Sequence, residues 1–566
     1  MVIKPSQRSR SQESRAAIRR LYIAMQHLFI RGSYKPLGVS GEAMIDALTQ
    51  LRPEIYGSIN DEERVELDGL LYIFQRLPRG IEECRYIKLI SREGFEDSNF
   101  RPVVAPKRRR HAYRIDKEQM YIEMTRGRSD IYDILTHLTF LYVEAEKIRR
   151  NSEDHKGRKR REWIMLKDIV EREEHGEDYD RDIAYTYLST LLGRTYDETV
   201  AACERFSEAS DVNSVFHITY WMGHLATEEA SADNDREISF SSALREKIGH
   251  HVYGELWAEK IKTVLAERGW LQRPLHIVSA NLHSFMNAIY AAAALEQDDD
   301  LEDIARELSV DSNEQLRRRV SQYATQYGMS QIDDTSGTSI SVQLFDTTAM
   351  ELDRLPAELS WDADYITREK PVLLVMDYAF GEQAYETMDE LLKPYEQEGA
   401  EIPLNVKSIS IMGKAGILEG QKGDIMVPNA HVFEGTADNY PFENELCVSD
   451  FEGRGLKVFE GPMISVLGTS LQNRDILRYF LQSSWGVVGL EMEGAHYQKA
   501  IQAASKIRNS IASDVILRYA YYASDNPLIS GSTLASGSLG IDGVKPTYLI
   551  TTQILSRILT GQKDCT

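Results

Sequence analysis

Three short stretches in the second half of the chain hold residues whose types and spacing can do chemistry. The first, Ile411-Met412-Gly413-Lys414-Ala415-Gly416-Ile417-Leu418, reads as an apolar strand ending in a small-residue turn. Gly413 and Gly416 there would let the backbone approach a ligand and turn N–H groups toward an anion, with Lys414 as an added positive charge. A packed strand-to-loop turn accounts for the glycines about as well. The second, Gly489-Leu490-Glu491-Met492-Glu493-Gly494-Ala495, places two carboxylates where a strand passes into a helix. Ligands of open α/β folds bind at the carboxyl ends of the strands. Glu493 could accept hydrogen bonds from two neighbouring sugar hydroxyls, bonds that strengthen as positive charge grows on the sugar. Charge that favours a helix N-terminus explains the same carboxylates equally. The third, Tyr521-Tyr522-Ala523-Ser524-Asp525-Asn526-Pro527-Leu528, puts an acid just beyond an apolar run. Asp525 there could protonate a purine ring nitrogen and make the base a better leaving group, although Ser-Asp-Asn-Pro is also a strong turn sequence.

Strand ends must gather these stretches at one edge, and the second half of the chain has the required pattern. After Arg273-Pro274, the apolar run Leu275–Val278 passes directly into a helical stretch, Phe285–Leu295. Strand-then-helix recurs at Pro371–Met376 and Gln383–Leu392, and β-rich runs follow at Val406–Met412, Ile425–Val427, Met463–Leu467, Val487–Leu490 and Val515–Tyr522. This alternation predicts an α/β domain over residues 271–566, a mixed, largely parallel sheet flanked by helices. The polar stretch 297–370 reads as an insertion or lid. Residues 1–270 carry apolar positions at three- and four-residue intervals, as in Ile18, Leu21, Tyr22, Met25 and Leu28, which predicts an all-α domain.

Taken together, the three stretches resemble the nucleoside phosphorylase and nucleosidase superfamily, and AMP nucleosidases most closely, over about half the chain. Ser279-Ala280-Asn281-Leu282-His283-Ser284-Phe285 resembles that family's first strand-to-helix segment, and Glu434-Gly435-Thr436 through Tyr440-Pro441 resembles its substrate-side loop. The resemblance implies that Met492 meets the sugar face, Glu493 holds the ribose hydroxyls and Asp525 is the acid. It further implies substrate contacts from Glu491, Gly413, Lys414, Gly416, Asn281, Thr436, Ser524 and Asn526. The implied activity is that of a hydrolase of N-glycosyl compounds or a purine nucleoside phosphorylase. Its substrate would be a purine nucleotide or nucleoside, AMP foremost, with phosphate as a further ligand. Homo-oligomers and the absence of a cofactor follow from the same resemblance. The pattern departs from the family at Met376-Asp377-Tyr378-Ala379-Phe380-Gly381, where one glycine replaces a glycine-rich turn, and at His431-Val432-Phe433, which lacks an arginine.

Composition bounds the alternatives. The length, 566 residues, exceeds what one core supports, so two domains are expected. A net charge of -22 opposes binding to nucleic acid. The absence of a long apolar run opposes a membrane partner, and the polar N-terminus places the chain in the cytosol. The basic runs Lys107–Arg110 and Lys156–Arg161 read as solvated loops. The four cysteines lack CxxC spacing, so neither a zinc site nor a disulfide framework is indicated. No metal cluster is expected, and His217 and His224 read as core or interface residues rather than ligands. Two other functional classes remain: a nucleotide sensor that binds without cleaving, and a helical scaffold that captures a protein partner.

Overall fold

A computed structural model of the chain describes residues 9–108, 110–231, 234–436, 438–529 and 539–561. The chain forms two compact units. The first comprises residues 1–125, 130–250 and 470–476, and the second comprises residues 126–129, 251–469 and 477–566.

The first unit is built largely of helices whose apolar faces meet. Helix Arg10–Arg31 starts in a capping box between Ser9 and Gln12 and buries Ile18, Leu21, Met25 and Leu28. This unit is not all-α, however. A six-stranded sheet runs through it in the order β1 (Ser33–Tyr34), β6 (Glu237–Phe240), β2 (Tyr86–Ile90), β5 (Gln119–Glu123), β4 (His111–Arg114), β3 (Pro102–Val104). Strands of two to five residues are too short to show a two-residue period against the helical background, which is why the sequence pattern hides them. The basic run before β4 is not a solvated loop either. Arg110 is buried and reaches Asp130 at 2.8 Å and Asp133 at 2.5 Å, and Arg108 reaches Asp133 at 2.9 Å. Burial alone would raise the Asp133 carboxyl, but Arg108, His137 and Arg110 hold it well below the usual carboxylate range.

In the second unit a ten-stranded mixed sheet carries two apolar layers. Its strands are β7 (Leu275–Ser279), β8 (Met329–Ile332), β9 (Val342–Asp346), β10 (Val372–Met376), β13 (Val406–Ile417), β14 (Ile425–Phe433), β15 (Asn439–Pro441), β16 (Val458–Ser465), β17 (Gly489–Glu491) and β18 (Ile516–Asp525). A small hairpin, β11 (Tyr395–Gln397) with β12 (Ala400–Ile402), lies apart from it. Alternation along β10 explains the layers: Val372, Leu374 and Met376 face one cluster, Leu373 and Val375 the other. β7 pairs in parallel with β10 and β13, and β13 with β18. β14, β16, β17, β13 and β18 then close into a ring, since β14 also pairs with β18.

Two expectations need correction here. The stretch 297–370 is part of the framework and not a lid: β9 pairs with β10, β8 with β9, and Val320 and Ala324 of helix Glu314–Gln326 belong to an apolar layer of the sheet. Helix Val252–Glu267, expected in the helical half, buries Trp257, Ile261 and Leu265 in the other layer, with Trp257 Nε1 donating to the Ile340 carbonyl at 2.9 Å. Cys84 and Cys203 are free thiols, whereas Cys447 is disulfide-bonded. Cys565 lies outside the described residues. Among the described residues no helix is long and apolar enough to cross a membrane.

Removing one partner of a buried ion network strands the others. Asp133→Ala is expected to destabilise the protein by about 3–5 kcal/mol in urea unfolding. Arg318→Ala, which loses an exposed pair with Glu314, should cost less than about 1 kcal/mol.

Candidate active site

The carboxylate of Glu491 joins the end of β17 to helix Gly494–Gln502. The first N–H groups of a helix have no partner within it, and Glu491 accepts those of Glu493 and Gly494 together with the hydroxyl of Ser465 on β16. Ser465 Oγ also accepts the Ala495 N–H at 2.9 Å. Burial pushes the Glu491 carboxyl up to about 7 despite these donors. With its oxygens engaged by the protein, Glu491 positions the site and is not the substrate contact that its sequence motif implies.

Glu493, half-buried, follows directly. Its Oε1 accepts the Gly381 N–H at 2.8 Å. Burial pushes the Glu493 carboxyl up to about 8, and the Glu491 carboxylate adds to this; the Gly381 N–H and the charge of Lys414 act in the opposite direction. Gly381 has φ +56, and a Cβ there would lie 2.4 Å from Ser129 Oγ and 3.6 Å from Met492 Cε, so glycine is required on both counts. Met492 is buried beside it.

The loop at Gly381 holds residues that no sequence motif marked. Ser129 Oγ accepts the Glu382 N–H at 2.8 Å from 253 positions earlier in the chain. The Arg126 guanidinium lies 4.8 Å from the Phe380 ring centroid, and Arg128 Nη1 lies 3.7 Å from Glu382 Oε1. The visible trace in the sequence is the run Arg126-Gly127-Arg128-Ser129, which opens the long helix Gly127–Asn151.

Gly413, Lys414 and Gly416 are not in a turn. β13 continues through Ile417, with a register shift between Ala415 and Gly416. Gly413 lies beside Tyr378, whose ring a Cβ would meet at 3.4 Å, an ordinary van der Waals contact. Gly416 pairs with Leu490 of β17 on one side and with Asp525 of β18 on the other. The two acid-bearing stretches are thereby set one strand apart, roughly 10 Å across at the usual strand spacing.

Asp525 is buried, and Ser524 Oγ donates to its Oδ1 at 2.7 Å while lying 3.1 Å from the Ala415 carbonyl. Asn526 donates to the carbonyls of Leu418 and Gly420 at 3.3 and 3.2 Å and accepts the Leu528 N–H at 3.0 Å. Ser524 and Asn526 therefore fix the Asp525 turn. Asn281 caps helix Leu282–Leu295, accepting the His283 N–H at 2.9 Å. It lines, with Lys414, Arg317, Tyr522 and Tyr548, a cavity of about 550 Å³, a volume suited to a small ligand. Thr436 is exposed, and its hydroxyl donates to Asp438 at 2.9 Å.

This is an α/β unit with two acids on strands either side of one glycine-bearing strand. The chain belongs to a family of unknown function (DUF6909), whose model matches residues 42–311 and 307–560. No curated protein matches it. Among solved structures, the 5'-methylthioadenosine/S-adenosyl homocysteine nucleosidase of Campylobacter jejuni is 11% identical over 51% of this chain and 100% of its own, with a TM-score of 0.30. Futalosine hydrolase of Helicobacter pylori is 12% identical over 50% of this chain and 98% of its own, also at 0.30. Likenesses this weak carry neither mechanism nor substrate across to this chain.

Two stability outcomes follow. A carboxyl raised from 4.5 to about 8 favours the fold most fully below about pH 4.5, and that contribution disappears as pH rises through 8. The melting temperature of Glu493→Gln is therefore expected to gain on the wild type steadily between pH 5 and 8.5. In Gly494→Ala, the new Cβ would meet the buried His431 ring at 2.3 Å. A loss of about 1–3 kcal/mol is expected in denaturant unfolding.

Proposed function

We propose that the second unit hydrolyses the N-glycosidic bond of a purine nucleotide or nucleoside, with AMP the favoured substrate. Support comes chiefly from Gly416, which has the strand of Asp525 on one side and the strand leading to Glu493 on the other. A ribose held at Glu493 and a base reaching Asp525 would bridge that separation. In this reading Asp525 gives its proton to a purine ring nitrogen as the C–N bond breaks, and the bonding electrons leave with the base. Water adds to the anomeric carbon and loses a proton to solvent, and Asp525 takes one back from solvent before the next turnover. Glu493 accepts the ribose hydroxyls, and positive charge on the sugar favours its ionised form. Hydrolysis fits better than phosphorolysis because Glu493 already occupies the Gly381 N–H, the backbone donor that a phosphate would use.

The same occupied donor favours a second reading, a nucleotide sensor that binds without cleaving. Incubation of the purified chain with AMP, adenosine, IMP, GMP and ATP, with and without phosphate, followed by chromatography for free base, separates the two. Base release should fall by about 10²-fold or more in Asp525→Asn and in Glu493→Gln. No release from any substrate, with thermal stabilisation by nucleotide retained, would establish the sensor instead.

A further inference from the structure

The first unit holds a second pair of neighbouring acids, Glu82 and Glu83, in a different setting. They lie on the short turn Ile81–Glu83, facing His217 of helix Val215–Ser231. His217 Nε2 lies 2.9 Å from Glu83 Oε1 and 3.8 Å from Glu82 Oε1, and one ligand atom from each residue falls within 4.8 Å of the others. A divalent transition cation bound at about 2.0–2.2 Å to imidazole and carboxylate ligands needs atoms at this separation.

Surrounding groups orient the three. Arg114 Nη2 holds Glu83 Oε2 at 2.8 Å, which leaves Oε1 directed at His217. Asn213 donates to Glu82 Oε1 at 2.6 Å and is itself held by Arg79 Nε at 2.8 Å. On the far side of the ring, Glu174 Oε1 lies 4.0 Å from His217 Nδ1, beyond hydrogen-bond distance. The remaining observation concerns Glu82 itself. Its side chain is 1% exposed, and among the described residues its Oε2 has no hydrogen-bond partner. Oε1 is the oxygen that lies nearer His217; a buried carboxylate oxygen without a donor is costly, and a cation bound by both oxygens of Glu82 would remove that cost.

We propose that Glu82, Glu83 and His217 bind one divalent transition-metal cation through His217 Nε2 and the two carboxylates. One imidazole and two carboxylates suit ions such as Zn²⁺ or Mn²⁺. The site lies in the first unit and does not depend on the proposed glycosidase reading.

The full chain, stripped with EDTA and dialysed, would be titrated with Zn²⁺ alone and Mn²⁺ alone by calorimetry, with bound metal counted by elemental analysis. The expected result is one equivalent bound by the wild type and at least a tenfold loss of affinity in Glu82→Gln and in His217→Gln, with circular dichroism unchanged. Should either variant fail to fold, the wild type carries its own reporter. Trp221 lies 6.2 Å from His217 between ring centroids, so one equivalent of Co²⁺ should quench a component of tryptophan emission that Trp221→Phe lacks. Absence of metal binding by the wild type, binding unchanged in folded variants, or no Trp221-dependent quenching would reduce the cluster to an ion pair and overturn the assignment.

Discussion

The candidate site depends on one buried carboxylate. Glu491 accepts hydrogen bonds from Ser465 and from the backbone of Glu493 and Gly494, and by doing so fixes where β17 stops and the following helix starts. The side chain therefore compensates N–H groups that every helix start leaves unpaired, and it does so from within the sheet. Met492 lies between the acceptor and its donors in sequence and Glu493 is itself one of those donors, so their directions are set by the same bonds. The cost is a carboxylate taken out of water, which appears as the upward displacement of its pKa.

A second consequence is electrostatic. Two acids two residues apart in a buried setting cannot both ionise cheaply, and Glu493 carries the larger displacement because Glu491 adds to its burial. Lys414 opposes this from β13 while also lining the neighbouring cavity. Charge arriving in that space, such as a cationic sugar, would shift Glu493 toward its ionised form. An acid poised in this way responds to developing positive charge more strongly than one already ionised in water.

Parts of this were legible in the sequence because the physical signal is local. Five consecutive apolar residues make β10 readable as a strand buried on both faces, and the apolar spacing after Asn281 makes the helix that follows readable. The acidic motifs were readable as strand ends for the same reason. What was hidden depends on partners distant in sequence. The glycines of β13 suggest a turn until β17 and β18 are seen pairing along it. Ser129 has no local mark of its contact with the loop after β10, and Glu491 can be told from Glu493 only once Ser465 is beside it.

The two acid pairs of the chain show that residue type alone does not set chemistry. Around Glu491 and Glu493 the donors are mainly backbone N–H groups, which are fixed in place and carry no net charge. Such an environment tolerates a neutral carboxyl and leaves capacity for hydroxyl partners. Around Glu82 and Glu83 the partners are side chains of asparagine, arginine and histidine, which engage both oxygens of Glu83 and one of Glu82. Against its burial, His217 and Arg114 hold the Glu83 carboxyl below its usual range, whereas burial raises that of Glu82, so negative charge gathers on Glu83 beside the imidazole. A close pair of acids is thus steered toward different ligands by whether the backbone or the side chains supply the surrounding donors.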